Sequence, residues 1–503
     1  MTNLSYNIMK NIEGEMIGEI CKKFKNEGLE TILRRIFFDA FSKSQYEAIL
    51  PKILIKTNDG RGRGHISRVS NWVGNPPINN DVLILVNKEF SDMVPRTINY
   101  ETTEDTGWRI NHREQKPQQY KFKSPANVDP FTETLKYYSC IIKHLHGNLK
   151  LFYVDDQNSP ETLFLSRIGE MCGISLPDIK DKSPNAKIAN EMETQVPYNE
   201  LIIEGFDASD YIHLSSSFKF MDFATKKTWR TWTPGLEEKV IEMGFPLSEE
   251  RKEQLDLPQS EKDKRKKDII ERYNPNCKNL VYCSFGGGEG ADTVYPIIVR
   301  SSKDHNDVLF TLGDGPNIRE ILRNAGFSIE EIEKNGKVIG AKVNGQDNFY
   351  LVRSIKGGHL GAVATADINI QGCGSGTTYE GIWAGNPIIA LPLNRPGNEQ
   401  IIKAIGVEKS GGGRALYLDD LLNTNGTKVF FQEVGYNNSK TKVLNSNNLN
   451  NAISAVLKDS NKIRDSLQGM RKYFGRGNLI AAQVGAMAES LTVEDIQKNF
   501  KPY

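Results

Sequence analysis

The chain has 503 residues, beyond the size at which one hydrophobic core usually stops growing, so two domains plus extensions are expected. Its 38% hydrophobic and 25% charged residues exclude a disordered or membrane-spanning chain. A net charge of +1 gives no global attraction for polyanions, and no nucleic acid partner is expected, because that affinity comes largely from neutralised phosphates.

The six cysteines, Cys21, Cys140, Cys172, Cys277, Cys283 and Cys373, are scattered without a Cys-x-x-Cys pair. That pattern argues against a structural zinc site and against a disulfide framework, and it points to a reducing, cytoplasmic setting. No apolar run approaches the ~20 residues needed to span a bilayer, and the polar first residues lack a signal-peptide core. Residues 1–48 read as an N-terminal helical extension. Within it, Lys22, Lys23, Lys25, Arg34 and Arg35 lie among Ile, Leu and Phe at helical spacing. Two readings stand open for this segment: a packed helix pair, or a helix that docks on a membrane surface or a partner.

From Pro51 onward short apolar runs alternate with helical stretches, the pattern of βαβ units and a parallel sheet. Strands are expected at 52–56, 81–86 and 149–154, the last ending in Asp155 and Asp156, with a helix over 161–171. A glycine-rich turn, DGRGRGH at 59–65, follows the first strand. Residues 97–129 are polar and weakly periodic and read as an inserted loop. These elements make residues 49–250 a first doubly wound domain. Residues 251–276 alternate Glu and Lys and read as a solvated helix or linker. The α/β rhythm restarts over 277–460, with strands expected at 279–285, 307–312, 367–370 and 387–391. Ligands of such a domain lie at the C-terminal strand edges. Residues 461–503 read as C-terminal helices, with Ile463, Leu467, Met470 and Tyr473 on one side.

The most informative stretch is GCGSGTTYEGIWAGNPIIALP at 372–392. It describes a small-residue turn, a short helix, a glycine stop and a strand. Such a turn presents backbone N–H groups at a helix N-terminus, where the helix dipole also favours a phosphate. Ser375, Thr377 and Thr378 can add hydroxyls, and Glu380, one turn into the helix, could accept both hydroxyls of a ribose.

This stretch resembles the donor-binding motif of GT-B glycosyltransferases, in particular the inverting groups that include UDP-glycosyltransferases and MurG-like or glycolipid transferases. The resemblance implies two Rossmann-like domains facing a cleft, with the final helices crossing back to the N-terminal domain. It further implies no cofactor, a UDP-sugar as donor substrate, and an acceptor such as a lipid, polymer or small molecule. By the same resemblance, Gly374, Ser375, Gly376, Thr377 and Thr378 hold the donor diphosphate, Glu380 the ribose, and Glu399 with Gln400 the sugar hydroxyls. Ser284, Gly286 and Gly287 approach the phosphates or the transferred sugar, and the main chain around Arg353 and Ser354 holds the base. Plant-type and vertebrate-type members carry a histidine eight residues before the glutamate, and retaining enzymes a glutamate there; this chain has Gly372. The diphosphate grip then rests on amides and hydroxyls, with a basic side chain such as Arg353 or Arg395, and inversion is favoured.

In the first domain the resemblance places an acceptor-side loop at Gly62, Gly64 and Arg68 and a catalytic base at His65, oriented by Asp155 or Asp156. Three alternatives stay open: His65 binds acceptor without proton transfer, the loop with Arg61, Arg63 and Arg68 holds an anionic acceptor such as a lipid phosphate, or His65 has a structural role in the loop. No metal is expected, since no Asp-x-Asp triplet follows a strand and the histidines have no metal-ligand spacing with cysteines or carboxylates. A UDP-sugar epimerase or hydrolase of the same fold, and a non-catalytic sugar-nucleotide-binding protein, remain alternatives.

Overall fold

The computed structural model describes residues 53–57, 64–103, 240–285, 290–353, 355–393, 399–423, 442–489 and 493–500, with short pieces between 108 and 223 and between 428 and 436. The N-terminal extension and the helix expected over 161–171 lie outside the described residues, as do Gly62, Asp156, Gly286, Gly287, Ser354 and Arg395. The chain divides into two compact units. Residues 1–218, 229–246 and 475–502 form the first, and residues 219–228 and 247–474 form most of the second.

Among its described residues the first unit has a seven-stranded sheet. Its strands are β1 (Ile53–Thr57), β2 (Val82–Asn87), β3 (Asn99–Thr103), β4 (Leu151–Asp155), β5 (Lys187–Met192), β6 (Ile212–Ser215) and β7 (Val240–Glu242). Their spatial order is β3-β2-β1-β4-β5-β6-β7, and every pairing is parallel. β2 is buried along its whole length, which is why it reads as an unbroken apolar run rather than an alternating one. β3 lies inside the stretch expected to be a loop. Its sequence, NYETT, is polar because it is an outer strand, so its pairing with β2 is invisible to an apolar-run criterion. Helix α1 (Gly64–Ser70) follows β1. Ile66, Val69 and Trp72 in and after it are fully buried with Ile480, Val484 and Met487 from the C-terminal helix Gly477–Ala488. That helix is tied down by Gln483, whose side-chain amide donates to the Glu242 carbonyl at 3.0 Å and to the Phe500 carbonyl at 2.7 Å.

In the second unit the charged residues expected to be a solvated helix or linker form two helices. α2 (Glu249–Leu255) starts at Ser248, whose hydroxyl accepts from the Arg251 N–H at 3.3 Å, and it carries Glu249 and Glu250 in its first turn. α3 (Gln259–Tyr273) buries only Ile269, Ile270 and Tyr273 at its C-terminal end. The remainder is the Glu/Lys alternation, so the packing signal is confined to three residues and the composition reads as solvated throughout.

The second unit's main sheet contains β8 (Asn279–Ser284), β9 (Val308–Gly313), β10 (Ile329–Lys334), β11 (Lys337–Val343), β12 (Phe349–Val352), β13 (Ile368–Gln371), β14 (Ile388–Ala390) and β15 (Gly413–Ala415). The order is β10-β11-β12-β9-β8-β13-β14-β15. The β10–β11 hairpin and the β11–β12 pair are antiparallel, and the pairings from β12 through β15 are parallel. The hairpin turns on Asn335-Gly336, both at positive φ, the residue pair that such a tight turn selects. Helices α4 (Val294–Ser302), α5 (Pro316–Asn324), α6 (Gly358–Thr365), α7 (Ser375–Ala384) and α8 (Glu399–Lys409) alternate with these strands. Phe310 on β9 is fully buried and stacks on Phe349 of β12 at 6.4 Å between ring centroids. Toward the end of the unit, Ile463, Leu467 and Met470 of the helix Ser460–Met470 are buried, while Tyr473 is half-buried.

Phe310→Ala is expected to destabilise the second unit by about 3–5 kcal/mol, the usual cost of deleting a buried aromatic ring. Urea unfolding followed by circular dichroism measures it, and a loss under about 1 kcal/mol would mean that Phe310 is not a core residue.

Candidate donor site in the second unit

The parallel order changes direction at β8. β9 lies on one side of it and β13 on the other, and the last residues of the two central strands, Ser284 and Gln371, are register partners. The loops leaving β8 and β13 therefore depart from adjacent strand ends at the topological switch point, where open α/β sheets place their ligands. The loop after β13 is 372–374, and α7 begins directly behind it.

Its conformation is set by close approach. A Cβ built on Gly372 would meet Phe285 Cδ1 at 3.1 Å and Leu393 at 3.4 Å, so a larger side chain there requires the neighbours to move. Cys373 adopts φ 58°, a left-handed conformation uncommon for a residue with a side chain. Its thiol is fully buried and pushed up to about 12, chiefly by burial, which leaves it unionised and unsuited to nucleophilic chemistry. Gly374 is the extended residue that caps α7, and Gly385, at φ 72°, ends it.

At the start of α7 the first intrahelical bond runs from the Thr378 N–H to the Gly374 carbonyl at 3.0 Å. The amides of Ser375, Gly376 and Thr377 precede it and have no acceptor within the helix. Gly376 has open space where a side chain would be. The Thr377 hydroxyl donates to the Gly374 carbonyl at 3.1 Å, and Thr378 is fully buried. The Ser375 hydroxyl accepts from the Lys403 amine of α8 at 2.7 Å, and Lys403 is only 1% exposed. A buried lysine amine thus meets the first residue of α7, beside the helix end whose dipole favours an anion.

Glu380 lies one turn further and is 3% exposed. Its carboxylate is held from two helices. Arg251 Nη1 of α2 donates to Oε1 at 2.5 Å, and His359 Nε2 of α6 lies 2.9 Å from Oε2. The other ring nitrogen, Nδ1, is 3.1 Å from the Tyr282 hydroxyl. Burial pushes the Tyr282 phenol well up, so it keeps its proton and donates to Nδ1. With the phenol donating to Nδ1, the ring presents an Nε2 proton to the carboxylate. Next to Arg251, Lys252 lies over the Trp383 ring at 5.0 Å, and the Trp383 N–H donates to the Lys252 carbonyl at 3.2 Å, fixing α2 against α7.

The remaining expected residues fall as follows. Gln400 is buried, and its side-chain oxygen accepts from the Leu393 N–H at 2.8 Å, closing the segment before α8. Glu399 is the first residue of α8, and Ser284 the last of β8. Arg353 does not supply a basic side chain to the α7 loop: it bonds Asp314 at 2.8 Å and Glu331 at 3.4 Å, and Asp314 also takes Arg319 at 2.6 Å. Burial works to raise the Asp314 carboxyl, but the two guanidinium groups overcome it and hold the carboxyl below the usual range. Arg353 is thus part of a carboxylate cluster at the ends of β9 and β12. In the first unit, His65 lies in the first turn of α1, Arg68 is buried, and Asp155 is the register partner of Thr57 at the end of β1. Arg251, His359 and Lys403 had no sequence signal of their own: one sat in an apparent linker, one was a lone histidine, and one was a lysine within an amphipathic helix.

No family model matches the sequence, and no curated protein matches it. Solved structures do resemble it. A UDP-glucosyltransferase from Polygonum tinctorium capable of glucosylating indoxyl, in complex with 3,4-dichloroaniline, matches at TM-score 0.51 and 10% identity over 88% of this chain and 99% of its own. The Anabaena protein Alr3699/HepE in complex with UDP-glucose matches at TM-score 0.49 and 12% identity, over 87% of this chain and 99% of its own. The glycotransferase of kitacinnamycin matches at TM-score 0.48 and 13% identity, over 86% of this chain and 98% of its own. The chain has the GT-B glycosyltransferase fold.

The far end of α7 offers a pH test of its anchoring. The Lys262 amine donates to the Ala384 carbonyl at 2.9 Å. Burial, with Arg471 and Arg464 nearby, brings it down to about 8 from the usual 10.5. Between these values the unfolded chain binds a proton that the folded chain does not, so stability rises with pH across that window. Lys262→Met is expected to flatten the rise in thermal midpoint between pH 8 and 10; an unchanged slope would mean that Lys262 titrates normally.

Proposed function

We propose that the chain is an inverting, metal-independent glycosyltransferase that moves a sugar from a UDP-sugar to an acceptor nucleophile, a hydroxyl of a lipid, polymer or small molecule. The observation that carries this reading is the N-terminus of α7. There a helix opens at the switch point of a parallel sheet with Gly376 unencumbered and the Lys403 amine on the Ser375 hydroxyl.

In this reading the donor diphosphate lies against Gly374 to Thr378 and Glu380 receives the ribose. The main chain around Arg353 and Ser354 holds the base, and the loop with Ser284, Gly286 and Gly287 faces the phosphates or sugar. Glu399 takes a sugar hydroxyl. Gln400, whose oxygen is committed to Leu393, has its amide N–H groups to offer to another. The acceptor hydroxyl attacks the anomeric carbon on the face opposite the leaving nucleotide, and its proton passes to the His65 imidazole, which Asp155 or Asp156 orients. The bond from the anomeric carbon to the phosphate oxygen breaks, and UDP leaves with the electron pair. Its charge settles on the α7 amides, the Ser375 hydroxyl and the Lys403 amine, donors that are already in place and need no divalent cation. Gly62, Gly64 and Arg68 form the acceptor-side loop. Residues 1–48 make any peripheral contact with a membrane surface, and the protein acts in the cytoplasm. No helix among the described residues is long and apolar enough to cross a membrane.

The test is a panel of UDP-sugars, scored first by thermal stabilisation, since a ligand that binds only the folded state raises its midpoint by mass action. The stabilising donor is then assayed for UDP release with candidate acceptors, with and without chelator. His65→Ala is expected to lower turnover by about 10²–10⁴-fold with UDP affinity unchanged, the usual contribution of a general base. Unchanged turnover would remove His65 from the chemistry, and turnover abolished by chelator would overturn the metal-free mechanism.

A further inference from the structure

Glu380 is nearly buried, and its carboxylate is held from two other helices. Two groups from two other helices each occupy one oxygen: Arg251 on Oε1 and His359 on Oε2. His359 is in turn fixed by Tyr282. An ionised carboxylate offers about four lone-pair positions, so one remains on each oxygen. Two acceptor positions on one rigid carboxylate, a short distance apart, match the two adjacent hydroxyls of a ribose. The side chains of His359 and Arg251 are 38% and 27% exposed, so they form the solvent-facing rim of a carboxylate that is itself 3% exposed.

We propose that Arg251 and His359 are positioning residues that lock Glu380 as a two-point reader of the ribose diol, and that they make the chain select ribonucleotide donors over 2′-deoxyribonucleotide donors. The inference rests on the assignment of Glu380 to the nucleotide made above. The physical basis is the cost of a lost partner. Arg251 holds one oxygen of the buried carboxylate and His359 the other, so neither oxygen can turn to water or to another donor when the 2′-hydroxyl is missing. A site built to bond a hydroxyl rejects the analogue lacking it because its buried polar group is left unsatisfied. A carboxylate free to rotate would adapt and discriminate weakly. The arrangement thus converts an ion pair between helices into a specificity device.

The experiment is isothermal titration of the full chain with UDP and with 2′-deoxy-UDP, for the unmodified protein and for Arg251→Gln and His359→Gln, with the thermal midpoint of each variant measured in parallel. The unmodified chain is expected to bind UDP at least ten-fold more tightly than 2′-deoxy-UDP. Each variant is expected to weaken UDP while leaving 2′-deoxy-UDP within about two-fold, so that the ratio between the two falls toward one. Equal affinity of the unmodified chain for both nucleotides overturns the inference while leaving the donor site in place, and needs no variant to fold. Variants that fold and bind both nucleotides several-fold more weakly with the ratio intact also overturn it, because they mark Arg251 and His359 as a plain tie between helices. Binding of neither nucleotide to the unmodified chain overturns the nucleotide assignment itself and this inference with it.

Discussion

A carboxylate taken out of water has to be paid for with donors, and in the second unit that requirement fixes how three helices meet. Glu380 sits in α7, 3% exposed, and the charge it brings is answered by Arg251 from α2 and His359 from α6. Removing either partner leaves a buried anion incompletely satisfied, which is far more destabilising than the pair is stabilising. The start of α2 at Ser248, the Trp383 bond to the Lys252 carbonyl and the Tyr282 bond to His359 are consistent with that need. Each brings a donor or holds it at the same carboxylate. A turn earlier the Lys403 amine meets the Ser375 hydroxyl beside the first amides of α7.

α7 thus opens on amides without intrahelical acceptors and carries a carboxylate one turn further, the order that suits a nucleoside diphosphate: an anionic diphosphate followed by a hydroxyl-bearing sugar. Gly372 is the steric half of the same design. With Phe285 and Leu393 against it, a side chain at this position would make its neighbours shift, and this is the position where the resembling enzymes carry a histidine or glutamate.

How much of this was readable in advance depends on where the information sits. The parallel strands were legible because they are buried on both faces; Val82–Asn87 and Val308–Gly313 are near-continuous apolar runs whose ends shifted by only a residue from expectation. The outer strand Asn99–Thr103 was not, since its polar sequence pairs through backbone alone. Residues 251–276 read as a solvated helix or linker because α3 buries only three residues of a long charged helix. The hairpin at Asn335-Gly336 carries a local signal, the Asn-Gly pair, within a stretch whose strands are largely exposed. In the site, the 372–392 stretch announced itself because glycines and a helix start are local. The partners of Glu380 did not: Arg251 lies 129 residues away in sequence, and His359 lies 21 residues away on a separate helix. Local pattern can propose a phosphate loop; only the packed helices show what holds its carboxylate, or that Arg353 is committed to Asp314 and Glu331.

The central claim is that a nucleotide-sugar donor lies against the N-terminus of α7. Amide hydrogen exchange of the full chain, with and without a saturating stabilising UDP-sugar, tests it most directly, because the amides of Ser375, Gly376 and Thr377 lack intrahelical acceptors and exchange readily until a ligand takes them. The account predicts strong protection of peptides covering 372–384, with a smaller effect around His359. Tight binding that leaves the 372–384 peptides unprotected would contradict it.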